Sequence, residues 1–429
     1  MQQWWRQFDD SVLNQLIERA EEESPSLAQA WSNIEKARAT LASVGAMSLP
    51  SMTGSGSLSR ARQLQLPSEP VTTTTRGVGA DATWEIDLFG KARRNSEAAR
   101  ARIEARIDDW HDARVSLAAD VADVYVQYRG CTLLADTYER ELTSTLRTNE
   151  ATAAAVRAGF SAPSDGALAR ASVADTRSTL NAQRAQCDLL VKSLVDLTGI
   201  EENSLDALLA GSDTKIPQPR TVDVRSVPAD VLRQRPDLAS LEREIAAASA
   251  EIGAARADLY PSISLAGAIS LSAVSGGSSA TTWSFGPTLS IPIFDGGQRR
   301  AAVDSATASF SAALARWRQG VRTAVKEVEQ ALVNLDSATQ REDDARQAAE
   351  EYRRHFDAIE NNWRAGNESL LTLEEARRSA QTSEISLLTL QQNRVQYWIA
   401  LYKALGGGWG PAAVGSGSKS TESVQGKSS

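Results

Sequence analysis

Between Gly297 and Trp363 the chain contains no proline, and Val321, Ala324, Val325, Val328, Ala331, Leu332 and Leu335 recur at three- and four-residue spacing. That is the apolar stripe of a coiled-coil helix, with charged residues on its other faces. At ~1.5 Å per residue such a helix is roughly 100 Å long. A compact globule cannot contain that rod. It also exceeds the ~30 Å hydrocarbon layer of a bilayer several-fold and is too polar to lie in one. It must stand in water with other rods against its stripe. Trp363-Arg364-Ala365-Gly366-Asn367 then reads as a tight turn, after which a shorter helix returns to about Tyr402.

The chain is an internal repeat. Pro25, Leu27, Ala28, Ile34, Ala37, Ala39, Pro50 and Ser51 recur 211 positions later as Pro236, Leu238, Ala239, Ile245, Ala248, Ala250, Pro261 and Ser262. Ile86 and Phe89 recur as Ile291 and Phe294 at an offset of 205, and Arg157-Ala158-Gly159 as Arg364-Ala365-Gly366 at 207. Each unit reads helix, two strands, long helix, turn, shorter helix. The predicted first unit covers 1–200, with strands at about 48–89 and a helical hairpin at about 91–199. A mixed insert follows over 201–235. The second unit covers 236–405, with strands at about 260–294, a hairpin at about 297–404, and a leading helix expected from about Ala229 to Asp258. The glycine-, serine- and lysine-rich tail 406–429 is expected to be disordered. The predicted class is mostly α with a small β part, and the two shorter helices of each unit stack end to end beside its long one.

Ile263, Leu265, Ile269 and Leu271 alternate with small polar residues, as do Trp283, Phe285, Leu289, Ile291 and Ile293. Runs of about ten residues with one apolar face suit a strand that crosses a bilayer, since soluble strands are usually ~5 to 6 residues long. In the first unit Val78, Ala80, Ala82, Trp84, Ile86 and Leu88 form one face, and Gly79, Asp81, Thr83, Glu85 and Asp87 the other. Acids suit a wet lumen better than a core. The preceding strand, near Met52 to Leu58, is rich in glycine and serine. Two hairpins cannot close a barrel, and an open edge is not tolerated in lipid, so several chains must complete it together.

The net charge of −8 argues against a nucleic-acid partner. His111 and His355 are the only histidines, each alone on a predicted long helix, and Met1, Met47 and Met52 are too few to form a copper ladder. Asp120 and Glu329 lack partners at catalytic spacing, and no phosphate-binding glycine loop follows a strand. No cofactor and no enzymatic activity are expected.

Trp4-Trp5-Arg6-Gln7-Phe8-Asp9-Asp10, Leu197-Thr198-Gly199, Arg235-Pro236-Asp237-Leu238, Ala257-Asp258-Leu259-Tyr260-Pro261 and Pro292-Ile293-Phe294-Asp295-Gly296-Gly297 resemble stretches of the TolC-like outer-membrane efflux proteins, in particular the NodT/OprM-type lipoprotein branch. The similarity runs to about Gly408. It implies a homotrimer with a twelve-stranded barrel in outer-membrane lipid and an α-helical tunnel across the periplasm. That duct would be served by a periplasmic adaptor and an inner-membrane RND (resistance-nodulation-division) transporter. Branch members carry a signal peptide and a lipid-bearing cysteine ahead of the Trp-Trp stretch, so the sequence is expected to be truncated or mis-started. A duct for type I protein secretion is the alternative on the same fold. A soluble coiled-coil scaffold with a small sandwich is the alternative outside it.

The resemblance also assigns sites. The turns at Arg157, Gly159 and Asp165, and at Arg364 and Gly366, become the periplasmic mouth where an adaptor docks, with the glycines as helix caps and Pro163 plus Ser161 or Ser164 starting the next helix. Relatives close the tip with a leucine, an acid and an arginine at fixed distances after the second turn glycine. Those positions are Leu371, Glu375 and Arg378, where Glu375 replaces the family's aspartate. The bland reading of Glu374-Glu375-Ala376-Arg377-Arg378 is a solvated helix face. Asp81, Glu85 and Asp87 would face the lumen in triplicate and favour cations. Cys131 and Cys187 lie 28 positions either side of Gly159, hence at one height on an antiparallel hairpin. A disulfide in the oxidising periplasm and two buried thiols both fit, because height does not fix side-chain direction.

Overall fold

The computed structural model describes residues 4–63, 70–210, 215–220 and 234–407. A 3-10 turn (Trp4–Phe8) leads into helices α1 (Ser11–Glu23) and α2 (Pro25–Ala46), strands β1 (Ser51–Gln63) and β2 (Val71–Ile86), and the helices α3 (Lys91–Arg157) and α4 (Pro163–Thr198). After the short α5 (Glu202–Ala210) come α6 (Pro236–Ala257), β3 (Ser262–Val274), β4 (Ser279–Ser290), α7 (Gln298–Arg364) and α8 (Leu370–Ala404). The chain is mostly helical with one small sheet, and the same order of elements occurs twice. Both long helices have 67 residues. Against α3 pack α2 and α4, of 22 and 36 residues, and against α7 pack α6 and α8, of 22 and 35.

Several boundaries differ from the sequence-based expectation. The helix expected from Ala229 begins at Pro236, where proline occupies the first turn and Arg235 is still extended. Residues 229–233 lie outside the described residues, as do 408–429 of the expected disordered tail. β1 extends beyond Leu58 to Gln63 because its outer half still pairs in register with β2. β4 stops at Ser290, leaving Ile291 and Ile293 in the connection to α7.

The interhelical seam has a heptad rhythm. On α7 the buried positions Ala324, Val328, Ala331, Leu335 and Ala338 alternate steps of four and three, and on α4 so do Gly166, Ala169, Val173, Thr176 and Leu180. A strict 3.5-residue repeat winds helices into a left-handed supercoil. Some members of the expected stripe behave differently. Val321 and Leu332 are only half-buried, and Val325 is exposed, as is nearby Val333 at 65%. On the lower part of α3 the seam consists of Thr137, Thr145, Thr148 and Thr152, all buried. Each hydroxyl donates back to the carbonyl one helical turn earlier: Leu133, Glu141, Ser144 and Thr148 respectively.

Halfway along the helices lies the largest core. Trp4 stacks on Tyr402 at 5.1 Å and Phe8 meets Trp398 edge-on at 5.2 Å, so the N-terminal turn clamps the end of α8. Asp10 caps α1 through the amides of Val12 and Leu13, and accepts the Tyr125 hydroxyl at 2.8 Å. Arg235 binds the Ala404 carbonyl, Asp237 and Glu327, joining the start of α6 to α7 and α8. The Trp-Trp and Arg-Pro-Asp stretches are therefore structural fastenings.

Cys131 of α3 and Cys187 of α4 are joined as a disulfide, with Cα atoms 5.6 Å apart. The bond closes a loop across the α3–α4 turn, a separation of 56 residues. Cross-links of that span typically stabilise by about 2–4 kcal/mol, chiefly by restricting the unfolded chain. Changing both cysteines to serine is expected to lower the denaturant midpoint of the purified protein. An unchanged midpoint, or free thiols at both positions by non-reducing mass spectrometry of native material, would count against the linkage.

The four strands form one antiparallel sheet in the order β1-β2-β3-β4, joined into a single body by β2–β3 pairing between the two repeats. Register sorts the side chains cleanly, because residues paired across an antiparallel sheet share a face. One face carries Thr53, Asp81, Ala268 and Ser284 in a row, with Ser55, Gly79, Ser270 and Thr282 in the next. The opposite face carries Met52, Ala82 and Phe285, then Ala80, Ile269 and Trp283. Trp283 is 77% exposed and Phe285 69% in the single chain, so this apolar face has no protein partner within it.

Candidate functional site at the helical tips

Both helical hairpins turn in the same way. After α3, Gly159 takes φ 77°, its amide donating to Val156 while Phe160 donates to Ala155. After α7, Gly366 takes φ 80°, with Gly366 donating to Trp363 and Asn367 to Asn362. These paired bonds satisfy the last carbonyls of each long helix, and the left-handed residue between them costs glycine little. The returning helices start differently. Ser369 caps α8 through the Thr372 amide, whereas α4 begins at Pro163 behind Ala162, with no side-chain cap. Neither Ser161 nor Ser164 fills the capping role expected of it. Arg157 and the tip residue Phe160 are exposed, Asp165 lies half-buried in the first turn of α4, and Arg364 pairs with Glu360 at 2.9 Å.

Leu371, Glu375 and Arg378 lie at spacings of four and three on α8, which places them on one helical face. Leu371 is 59% exposed in the single chain, and the other two are at least partly open to solvent. Among the described residues neither Glu375 nor Arg378 has an ion pair within the chain. The opposite face of the same turns is packed. Leu370, Leu373, Ala376 and Ala380 join Phe356 of α7 and Ala169 of α4 in a separate apolar cluster. The segment read as one solvated face is thus split, with Glu375 and Arg378 outward and Glu374 and Arg377 inward.

Arg377 was not singled out in the sequence, and it is the most constrained charge at the tip. It is 4% exposed and paired with Glu374, and it donates to Thr148 of α3 at 2.7 Å and Ser144 at 3.4 Å. Its guanidinium lies 5.5 Å over the Phe356 ring. Glu374 in turn accepts from Ser172 of α4 at 3.2 Å. Nearby, Arg140 of α3 pairs with Glu384 of α8 at 2.6 Å. These contacts tie the second hairpin to the first. Glu141 stands beside them, its carboxyl pushed up to about 7 by burial and by Glu374, Glu384 and Asp175, against the lowering effect of Arg377. Its Oε2 has no hydrogen-bond partner among the described residues.

The acids assigned to the sheet separate into two kinds. Asp81 and Glu85 lie on its small-polar face, opposite Ala268 and Ser264. Asp87 does not continue that row. β2 ends at Ile86, and the Asp87 carboxylate accepts the amides of Ala92 and Arg93, capping the 67-residue α3. Alternation at the strand end hid that change of role. In the second repeat Asp295 serves the same purpose from a different position, accepting from Gly297 and Arg299, and those amides hold its carboxyl below the usual range.

A family model described as "Outer membrane efflux protein" matches residues 16–200 and again 227–407. The chain belongs to this family. It is an outer-membrane efflux channel protein reaching into the periplasm, and its family consists of channels, not enzymes. Among its relatives is Nodulation protein T of Rhizobium leguminosarum bv. trifolii, 30% identical over 418 residues, which cover 96% of this chain and 88% of that protein. The solvent efflux pump outer membrane protein SrpC of Pseudomonas putida is also 30% identical, over 94% of this chain and 86% of the relative. Among solved structures, the outer-membrane channel OprN superposes with a TM-score of 0.85 at 30% identity, covering 95% of this chain and 93% of that one.

Proposed function

We propose that three copies close their sheets into a twelve-stranded barrel, and that their hairpins form a tunnel whose periplasmic end is gated by Leu371, Glu375 and Arg378. The observation that carries the reading is the sheet itself. It has four strands, unpaired outer edges on β1 and β4, one face of exposed tryptophan, phenylalanine and leucine, and one small-polar face. A sheet with free edges is not viable in lipid, and closure across subunits removes them. In that arrangement the apolar face contacts outer-membrane lipid, Asp81 and Glu85 wet the lumen, and Val325 and Val333 are available to a neighbouring subunit.

The duct is passive. An inner-membrane RND pump supplies energy and selects small toxic compounds, and a periplasmic adaptor docks on the turns at Arg157, Gly159, Asp165, Arg364 and Gly366. The likeness to a solvent-efflux relative favours small molecules over protein cargo. At the axis three leucines dewet the pore, and Glu375 pairs with Arg378 of a neighbouring subunit. An exposed ion pair is worth up to ~1 kcal/mol, so losing three together is expected to raise the open fraction by up to about a hundredfold. Planar-bilayer conductance of E375A and R378A tests this. Both variants conducting no more than the wild-type protein would remove these residues from the gate, and gentle cross-linking that never yields trimers would remove the duct.

A further inference from the structure

Charge in the sheet is segregated by face. Its acids, Asp81 and Glu85, lie on the small-polar face, whereas Arg60, Arg62 and Arg76 all lie on the apolar face, at the end farthest from the helices. Arg60 sits opposite Thr74, Arg62 opposite Thr72, and Arg76 opposite Leu58 and Ala273. Arg60 is the diagonal neighbour of Arg76, a separation of ~7–8 Å, and lies two residues from Arg62 along β1. All three are exposed, and among the described residues none has an ion pair or side-chain hydrogen bond. The outward face of the described strands carries no acidic residue that could neutralise them. Three like charges gathered with no counter-charge among the described residues repel unless an anion lies between them.

Their height follows from strand geometry. The apolar band starts near Ile86, Ile263 and Leu289 at the helical end, and ten positions separate Ile86 from Arg76. Ten residues at ~3.4 Å, tilted ~40°, rise roughly 26 Å, which matches the ~25 Å apolar band of outer-membrane barrels. Arg76 therefore emerges where the hydrocarbon ends, and Arg60 and Arg62 lie just above it. The helices occupy the periplasm, so this rim is the external one. Guanidinium groups bind phosphate through paired N–H donors, and a phosphate monoester offers them more negative charge than a zwitterionic headgroup, whose own ammonium already neutralises its phosphate.

We propose that Arg60, Arg62 and Arg76 form a binding site for the phosphates of the outer-leaflet glycolipid, one site per subunit around the outer rim of the barrel. The proposal rests on the reading of the apolar face as lipid-facing. The site would fix the height of the barrel in the membrane and recruit phosphorylated lipid as a boundary layer.

The test uses the full chain, purified as its detergent-solubilised assembly, titrated with bisphosphorylated lipid A and with the same lipid chemically dephosphorylated. Bound lipid is counted by native mass spectrometry. The wild-type protein is expected to prefer the phosphorylated lipid by about tenfold or more, a preference that falls with added salt, and R60Q/R62Q/R76Q is expected to lose it. Equal binding of the two lipids by the wild-type protein, or an undiminished preference in the triple variant, would overturn the site. Flotation with phosphatidylcholine vesicles separates the two levels of the argument. Both proteins are expected to float alike, and a wild-type protein that does not float sinks the lipid-facing reading itself.

Discussion

Replacing Arg377 with methionine is expected to leave the channel open at rest. The substitution keeps much of the apolar stem against Phe356 but removes the pairing with Glu374 and the bonds to Thr148 and Ser144. Glu374 is then left largely buried with Ser172 as its remaining polar contact in this network. Breaking one partner of a buried pair typically costs about 3–5 kcal/mol. Here the penalty falls on docking between hairpins, because the contacts join α8 to α3 and α4. Resting conductance should rise by about two orders of magnitude or more, on the basis that ~1.4 kcal/mol shifts an equilibrium about tenfold. The E374Q/R377M pair removes the stranded charge as well as the tie, so it should recover part of the thermal stability while remaining conductive. A closed R377M channel of wild-type stability would show that the tie does not restrain the hairpin.

Raising the pH from 5 to 8 should also favour opening, through Glu141. In the docked arrangement its carboxyl titrates near 7, against an ordinary value near 4.5, because burial outweighs the attraction of Arg377, and Glu374, Glu384 and Asp175 add repulsion. An acid whose proton affinity is raised by docking stabilises the docked state most below the lower of the two values. That contribution is lost as pH climbs from about 4.5 to about 7, and the curve is flat beyond either limit. Allowing for relaxation, the effect is about 2 kcal/mol per subunit, or roughly thirtyfold in the open fraction. E141Q should flatten the conductance–pH curve and hold the channel closed at pH 8. A wild-type curve without slope between pH 5 and 7, or a slope unaltered in E141Q, would remove Glu141 from the control of docking.

Much of this architecture was legible because it is periodic. The two-residue alternation in β3 and β4, the three-four stripe on α7 and the constant offset from Pro25 to Pro236 each repeat often enough to outweigh local noise. Legibility failed where one residue changes role without changing pattern. Asp87 keeps the phase of β2 yet caps α3, since no periodicity marks the last ladder bond. Serine and glycine on both faces of β1 gave too little contrast to show its length. In Glu374-Glu375-Ala376-Arg377-Arg378 charge occupies every polar position, so composition cannot show which pair turns inward. The phase was nevertheless present, because Leu370, Leu373 and Ala376 continue to Arg377 and Ala380 on the buried side. Following that seam through the charged segment would have singled out Arg377.

The threonine seam of α3 has a mechanical consequence. Leucines interlocked across a coiled coil resist axial displacement, because each knob must leave its hole. A row of short side chains whose hydroxyls already bond to their own helix makes a smoother bearing. Helix α8 can therefore travel along the lower half of α3 without stranding the intrahelical bonds of Thr145 and Thr152, held chiefly by pins such as Arg377 and Arg140. Above Cys131, bulky aromatic packing anchors the upper half, so the tips can swing while the root of each hairpin stays seated.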